Sequence, residues 1–378
     1  MGACASMRSD RTRQVPEAGG HHSREVASRD QDLGLSLLVP TFLRQLLAPD
    51  VKTVLLFGCG GGFDFVHGML LYPELHRCGK KVVIVSNSFG PPQVIEGADV
   101  KSVFTNPDVR TVTASAEKYD AYYAPEIHVA SFLDQEYPDT APHMLYACYA
   151  RSWCQPRFTK FLQQVVDQHS VDAVVCIDGG SDSLMVGDEE GLGDPIEDAV
   201  SVASLAKLHR IQTSLLVSVG FGCDRFNHVS DAASLRAVAE LTAQGGYRGC
   251  LALEPGGVPL QFYRRCLEHI YARQGFQSVL AGTILNAAEG CYGSDVVPSM
   301  LSSRLEPGSC FMWPLMGMLW AFDPQAVASR SSIIKWIDGK HVARLQSVLD
   351  SERAKLARTG CLRKVEELPQ HQEYASKE

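Results

Sequence analysis

Long apolar runs without polar alternation are the feature that most constrains the fold of this chain. Examples are "VKTVLLFG", "KKVVIVSN", "DAVVCIDGG" and "TSLLVSVG". Strands of this kind are buried on both faces, which is typical of a parallel sheet covered by helices. Helical stretches such as "FTKFLQQVVDQH" and "PIEDAVSVASLAKLHR" separate the runs. The sequence therefore predicts an α/β fold: a doubly wound, mostly parallel, Rossmann-like sheet with helices on both faces.

The chain is predicted to have three parts. Residues 1–30 are polar and lack an apolar period, which indicates a disordered N-terminal extension. Residues 31–338 form a single α/β domain, with a less regular insertion near 104–155. Residues 339–378 form a C-terminal helix and a polar tail.

Charge and cysteine usage exclude several classes of protein. The net charge is −8, and no basic concentration of the kind that binds nucleic acid is present, so we expect no nucleic-acid partner. The twelve cysteines include no CxxC pair, and several lie in apolar runs. This usage favours free thiols in a reducing compartment, and hence a cytoplasmic protein. No apolar run reaches the roughly 18–20 residues that span a bilayer.

The N-terminal sequence "MGACAS" fits a lipidation pattern. Gly2 and Ser6 match M-G-x-x-x-[ST] for myristoylation, and Cys4 is available to a palmitoyl chain. A single acyl chain binds membranes only marginally, so stable association requires both signals. The alternatives are an unmodified tail and a tail that attaches the protein to a membrane surface.

Glycine and aspartate follow the predicted strands. The segments "FGCGGGFD", "IDGGSD" and "VGFGCD" place Asp64, Asp178, Asp182 and Asp224 directly after apolar runs. Ligands of open parallel sheets bind at the carboxyl ends of the strands, so we expect these carboxylates to line one cleft. We assign Asp178, Asp182 and Asp224 catalytic roles, one of them as general base.

The acidic stretch at 178–195 divides into two kinds of residue. It holds six carboxylates and five glycines in eighteen positions. Asp194, Pro195 and Glu197 have the pattern of a capping box, so we assign them to the start of a helix. Asp178, Asp182 and one or two of residues 188–190 remain as ligands for Mg²⁺ or Mn²⁺, or equally for a cationic amine. A solvated acidic loop is the alternative for 188–190.

The glycine loop offers a second type of site. We expect the backbone of Gly58, Gly60, Gly61 and Gly62 to bind a ligand, with a nucleotide phosphate as one candidate and a simple tight turn as the alternative. Phe63 occupies the last glycine position of G-x-G-x-x-G, which disfavours NAD. Cys59 lies beside a predicted helix start, where a thiol pKa can fall and make the cysteine reactive.

Three blocks together resemble a family of uncharacterised α/β proteins, domain-of-unknown-function family 1152. They are "LLFGCGGGFDFVHGMLL", "CIDGGSDSLMVGDEEGLGDPIEDAVSVASLA" and "SVGFGCD", and the resemblance covers roughly residues 50–325. It implies a site built from the following residues: Asp64, Asp178, Gly180, Asp182, Gly187, Glu189 and Asp224. In particular, it selects Glu189 from residues 188–190 as a third metal ligand beside Asp178 and Asp182.

Two functional hypotheses follow. The first is an enzyme that acts on a small metabolite or nucleotide by cation-assisted hydrolysis or group transfer. The second is a non-catalytic ligand-binding or regulatory module, tethered to a membrane through Gly2 and Cys4. Phe63, Ser181 and Arg225, which depart from the family pattern, motivate the second. An NAD-dependent oxidoreductase is disfavoured, and the sequence predicts no oligomeric state.

Overall fold

A computed structural model describes the chain over residues 37–90, 95–96, 102–103, 106–118, 123–149, 154–294, 308, 310–364 and 368. The extension predicted for residues 1–30, with Gly2 and Cys4, lies outside the described residues, as does the tail from 369. Residues Pro40–Glu378 cluster as one compact unit, which includes the C-terminal helix.

Nine strands form one open, mostly parallel sheet in the order β10-β11-β9-β8-β1-β2-β7-β5-β4. The strands are β1 Thr53–Gly58, β2 Lys81–Ser88, β3 Ile95–Glu96, β4 Ser102–Val103, β5 Asn106–Thr113, β6 Glu117–Lys118, β7 Met144–Tyr149, β8 Ala173–Gly179, β9 Thr213–Val219, β10 Tyr247–Ala252 and β11 Met318–Phe322. The central five, from β7 to β9, are parallel, and antiparallel pairs extend both sides. Strands β3 and β6 pair separately.

Helices cover both faces of the sheet. They are α1 Thr41–Leu47, α2 Asp64–His67, α3 Tyr72–Arg77, α4 Pro125–Glu136, α5 Gln155–His169, α6 Pro195–Leu205, α7 Asp231–Ala243, α8 Val258–Tyr271, α9 Val279–Ala288, α10 Pro324–Arg330, α11 Ser332–Ile337 and α12 Leu345–Thr359. In β1, Val54 and Leu56 face a core shared with α3, α4, α8 and α9. Leu55 and Phe57 face a second core, shared with α5, α6 and α12. The predicted fold class is therefore confirmed.

Strand order creates a crevice beside β1. The chain runs from β1 to β2 and then to β7 on one side, and returns to β8 on the other side of β1. Such a reversal is where ligands of doubly wound proteins bind, outside the carboxyl ends of the strands. The loops that follow β1 and β8 border this crevice, and they carry Asp64 and Asp182.

The stretch near 104–155 contains regular strands and a helix that belong to the main fold. It supplies β5 and β7 to the main sheet and α4 to one face. Val109 and Val112 of β5 are buried, and the run "LYACY" of β7 is buried throughout. Aromatic and polar residues obscure the hydrophobic period of this stretch in the sequence. Its apolar residues are nevertheless the ones buried in the sheet.

The polar C-terminal helix packs against the core through two residues. Helix α12 buries Leu345 and Leu349 against the face that α5 and α6 cover. Across the described residues, every helix is too short or too polar to cross a membrane.

Candidate functional site

Five aspartates from four turns line one cavity of about 430 Å³ at the carboxyl ends of the strands. Asp64 opens α2 after β1, Asp178 lies near the end of β8, and Asp182 begins the 3₁₀ turn that follows. Asp224 lies in the 3₁₀ turn after β9, and Asp198 lies in the first turn of α6. The structure thus brings together four acids that the sequence predicts and adds a fifth, Asp198.

Hydroxyl and amide groups orient the two acids at β8 and β9. Ser183 Oγ donates to Asp178 Oδ2, and Ser218 Oγ donates to the same oxygen at 3.2 Å. The backbone N–H of Ser181 donates to Asp224 Oδ2 at 2.7 Å. These donors orient the two carboxyl groups, and none of the donors is a cation.

Backbone amides hold the acids of the two loops. Gly60 N–H donates to Asp64 Oδ2 at 2.7 Å, and Asp194 N–H donates to Asp182 Oδ2 at 3.1 Å. The glycine loop therefore directs an acid into the cavity.

The paired glycines of "IDGG" are required by close contacts. A Cβ on Gly179 would lie 2.4 Å from His67 Nε2 and 2.8 Å from Asp64 Oδ1. A Cβ on Gly180 would lie 2.4 Å from Asp224 Oδ2. Any larger residue would displace site groups, so these glycines allow His67 and the acids to approach the end of β8.

Burial raises the pKa of every one of the five carboxyl groups. The pKa of Asp64 rises to about 7. Neighbouring carboxylates add to the effect of burial on the pKa of Asp178, Asp198 and Asp224, all well above the ordinary value, and burial also raises the pKa of Asp182. Crowded acids without a cation retain protons because their charges repel at low dielectric. The described residues that line the cavity include neither Lys nor Arg.

Three of the acids form a group suited to a divalent cation. Asp64, Asp178 and Asp198 each offer a carboxylate oxygen, and these oxygens lie within 4.8 Å of one another. Oxygen donors of this number and charge suit Mg²⁺ or Mn²⁺, which complete their shells with water and substrate. A bound cation also offsets the repulsion that raises the pKa values. The donor set therefore fits the expected cation.

His67 is a further polar residue of the cavity lining. It is 1% exposed, and burial lowers its pKa to about 3, so the imidazole is neutral. Its Nδ1 is 2.7 Å from Tyr263 Oη, whereas Nε2 has no hydrogen-bond partner within the described residues. An unsatisfied buried nitrogen is costly. His67 therefore combines a place in the cavity lining with an unsatisfied nitrogen.

Of the three predicted metal ligands, only Asp178 belongs to this group, and Asp182 and Glu189 do not. Glu189 has other partners. Its carboxylate accepts the backbone N–H groups of Val186 and Gly187 and pairs with Arg363 at 3.1 Å. Arg353 holds the same loop by donating to the carbonyls of Gly187 and Glu189. Glu189 fastens the acidic loop to the C-terminal segment, and all of its carboxylate contacts are structural.

The glycine loop does not have the geometry of a phosphate cradle. The N–H groups of Gly60 and Gly62 donate to Asp64 and to Asn87 O, and a Cβ on Gly61 would lie 1.8 Å from the Phe89 ring. Gly58 is the last residue of β1, and a Cβ there would lie 2.7 Å from the backbone of α2. The glycines thus accommodate tight packing between the loop, Phe89 and α2.

Two local predictions need correction. The pKa of Cys59 is raised by burial rather than lowered, so its thiol stays protonated. Asp194 is the N-cap of α6 and Pro195 is its first residue, but no side chain makes a capping hydrogen bond. Asp194 Oδ2 instead accepts from Asn227 at 3.2 Å, and burial raises the pKa of Glu197. Both acids line the cavity.

Sequence reasoning missed Asp198 because an acid in a first helical turn looks like an ordinary stabilising residue. A signal was nevertheless present. Every residue of α6 from Asp198 to Leu205 is buried, and the sequence "DAVSVASL" is apolar or small apart from this one acid. An acid that begins such a buried stretch is a site candidate, because aspartate is rarely buried without a partner.

Comparison with known proteins identifies the family. A family model described as "Protein of unknown function (DUF1152)" matches residues 152–358. The chain belongs to this family. The DUF1152 match contains Asp178, Asp182, Asp198 and Asp224, whereas the glycine-rich block with Asp64 precedes it. The searches of curated proteins and of solved structures each gave no match.

Proposed function

We propose that this chain is a divalent-cation-dependent enzyme that acts on a small metabolite by hydrolysis or group transfer. The observation that supports this most is the convergence of Asp64, Asp178 and Asp198, with oxygens within 4.8 Å, in a cavity whose described lining lacks Lys and Arg. These acids can all ionise together only if positive charge comes from outside the chain. Mg²⁺ and Mn²⁺ are the cations whose preferences it meets.

The chain's own residues have distinct roles in this proposal. Asp64, Asp178 and Asp198 hold the cation. A divalent cation supplies a water of lowered pKa and polarises a carbonyl or phosphoryl oxygen. Asp182, which lines the same cavity, would accept a proton from an attacking water. His67 Nε2, the unpartnered nitrogen of the cavity wall, hydrogen-bonds the substrate or the water.

One observation favours a second candidate, the non-catalytic binding module. Asp224, a predicted catalytic residue, has Oδ2 engaged by the N–H of Ser181, whose hydroxyl lies 2.8 Å from Ser234 Oγ. This arrangement restrains Asp224 as a structural group. In this candidate, acylation at Gly2 and Cys4 tethers a ligand-sensing domain to the membrane surface.

Turnover assays separate the two candidates. The full chain is incubated with small carboxylic esters, amides and phosphoesters, with MnCl₂ or with EDTA. The enzyme hypothesis predicts turnover that requires Mn²⁺, disappears in Asp178→Asn, and persists in the control Asp139→Asn, whose residue is exposed. Mn²⁺ binding without turnover of any of these substrates would favour the binding module.

A further inference from the structure

Aromatic residues, which we call the aromatic wall, line the same cavity as the acids. Phe89, Phe226 and Phe276 line the cavity and expose 53%, 52% and 46% of their surface. The ring centroid of Tyr123 lies 6.5 Å from that of Phe89 and 5.9 Å from that of Phe276. Tyr123 therefore connects the rings of Phe89 and Phe276. Large exposed rings gathered at one cavity indicate a binding surface.

The glycine loop supports this wall. The ring of Phe89 lies so close to Gly61 that a Cβ there would be 1.8 Å from Cε1. A Cβ on Gly62 would also meet the ring, at 2.9 Å, and would lie 3.1 Å from Tyr123 Oη. Gly61 thus places one face of Phe89 against the backbone, while half of the side chain stays exposed at the cavity.

The proposed metal site leaves four acidic side chains of the cavity lining without a role in holding the metal. A cation held by Asp64, Asp178 and Asp198 would not use four other acids of the lining: Asp182, Asp194, Glu197 and Asp224. Carboxylates repel phosphate groups and attract ammonium groups. Aromatic faces also attract ammonium groups, through the quadrupole of the ring.

We propose that the substrate of this site is an organic cation, whose ammonium group lies between the aromatic wall and the acids that the metal does not use. The inference rests on the proposed function, because it names the substrate class of the same cavity. His67 supplies an independent indication of a ligand, since it lines the same cavity and its buried Nε2 has no hydrogen-bond partner among the described residues. A cavity of about 430 Å³ accommodates a small organic molecule.

The test uses choline and its neutral isostere, 3,3-dimethylbutan-1-ol, titrated calorimetrically into the full chain with and without MnCl₂. We expect choline to bind at least tenfold more tightly than the neutral isostere. Phe89→Leu should weaken choline binding about threefold to tenfold, which is the range of a partly exposed cation–π contact. Gly61→Ala should also weaken choline binding, because the added Cβ would displace the Phe89 ring.

Control variants separate the two proposals. Tyr292→Leu removes an exposed ring outside the cavity and should leave choline binding unchanged. Phe89→Leu should leave Mn²⁺ affinity unchanged. Mn²⁺ binding with no preference for choline over its isostere would overturn the organic-cation inference alone. If choline competes with Mn²⁺, and if choline binding is lost in Asp178→Asn, the result would support an organic-cation ligand and contradict the proposed metal role of Asp178.

Discussion

Asp64 and Asp198 come from different turns of the fold yet bring carboxylate oxygens to within 4.8 Å of each other. A Cβ on Gly60 would lie 2.9 Å from Oδ2 of Asp64 and 2.9 Å from Oδ1 of Asp198. Asp198 belongs to the segment that the family model matches, whereas Asp64 precedes it. The proposed cation site therefore needs both parts of the chain.

Stability of the cation-free chain should fall as pH rises. Burial raises the pKa of Asp64 from 3.8 to about 7, and the pKa values of the other four aspartates rise as well. Between pH 4 and 7 the folded state then binds more protons than the unfolded state, so the free energy of unfolding falls by up to about 1.4 kcal/mol per pH unit for each retained proton. Urea denaturation in EDTA at pH 5 to 8 measures this slope.

Mn²⁺ should counteract the loss of stability at high pH, because it binds the ionised carboxylates. The stabilisation by Mn²⁺ should be larger at pH 8 than at pH 5, since fewer protons must be displaced. Asp139→Asn, at an exposed site, should leave both slopes unchanged. A free energy of unfolding that rises over this pH range in EDTA would show that the five acids are ionised without a cation.

Asp198→Asn should weaken Mn²⁺ binding about tenfold to a hundredfold or more, because removing even a supporting residue of a metal site has an effect of that size. The same change should not lower the free energy of unfolding in EDTA at pH 8, since it removes one of several repelling charges. Calorimetric titration and urea denaturation give the two quantities. Unchanged Mn²⁺ affinity would remove Asp198 from the ligand set.

Glu189→Gln should act in the opposite way. Its carboxylate accepts from Val186 and Gly187 and pairs with Arg363, with both side chains largely buried. We expect a loss of about 1–3 kcal/mol in the free energy of unfolding, because buried donors lose a charged acceptor. The Mn²⁺ affinity should stay the same. A loss of Mn²⁺ binding without a loss of stability would restore Glu189 as a ligand.

The Glu189–Arg363 pair offers an internal control. Arg363→Ala should lower the free energy of unfolding by a similar amount. The double variant should lose less than the sum of the two single variants, because the two residues share one interaction. Additive losses would show that the two residues stabilise the chain independently.

Lipidation remains a prediction from the first residues. Gly2→Ala should abolish incorporation of labelled myristate, and Cys4→Ser should move most of the protein from the membrane fraction to the soluble fraction, because one acyl chain binds only marginally. Equal labelling of the original chain and Gly2→Ala would contradict the proposal.

Much of the fold follows from local sequence. Consecutive apolar residues in β1, β2, β8 and β9 predict buried parallel strands, and the acids after them converge because parallel strands end at one edge. The segment around β5 and β7 was harder to predict, since its strands pair partly antiparallel and its polar residues hide the period.

The errors at the site come from long-range contacts. Glu189 has its partner Arg363 at a separation of 174 residues, and no local pattern reveals that pair. Gly61 looks like a phosphate-loop residue until the position of the Phe89 ring is known. Asp198 was hidden because its place in the first helical turn has an ordinary electrostatic explanation.

Calorimetric titration of the cation-free full chain with MnCl₂ at pH 7.5 measures whether the aspartate cluster binds a divalent cation. We expect Mn²⁺ to bind there, with binding lost in Asp178→Asn and retained in Asp139→Asn. We also expect proton release on binding, because raised pKa values leave protons for the cation to displace. Mn²⁺ binding that is absent, or equally strong in Asp178→Asn and Asp139→Asn, would contradict the proposed cation site.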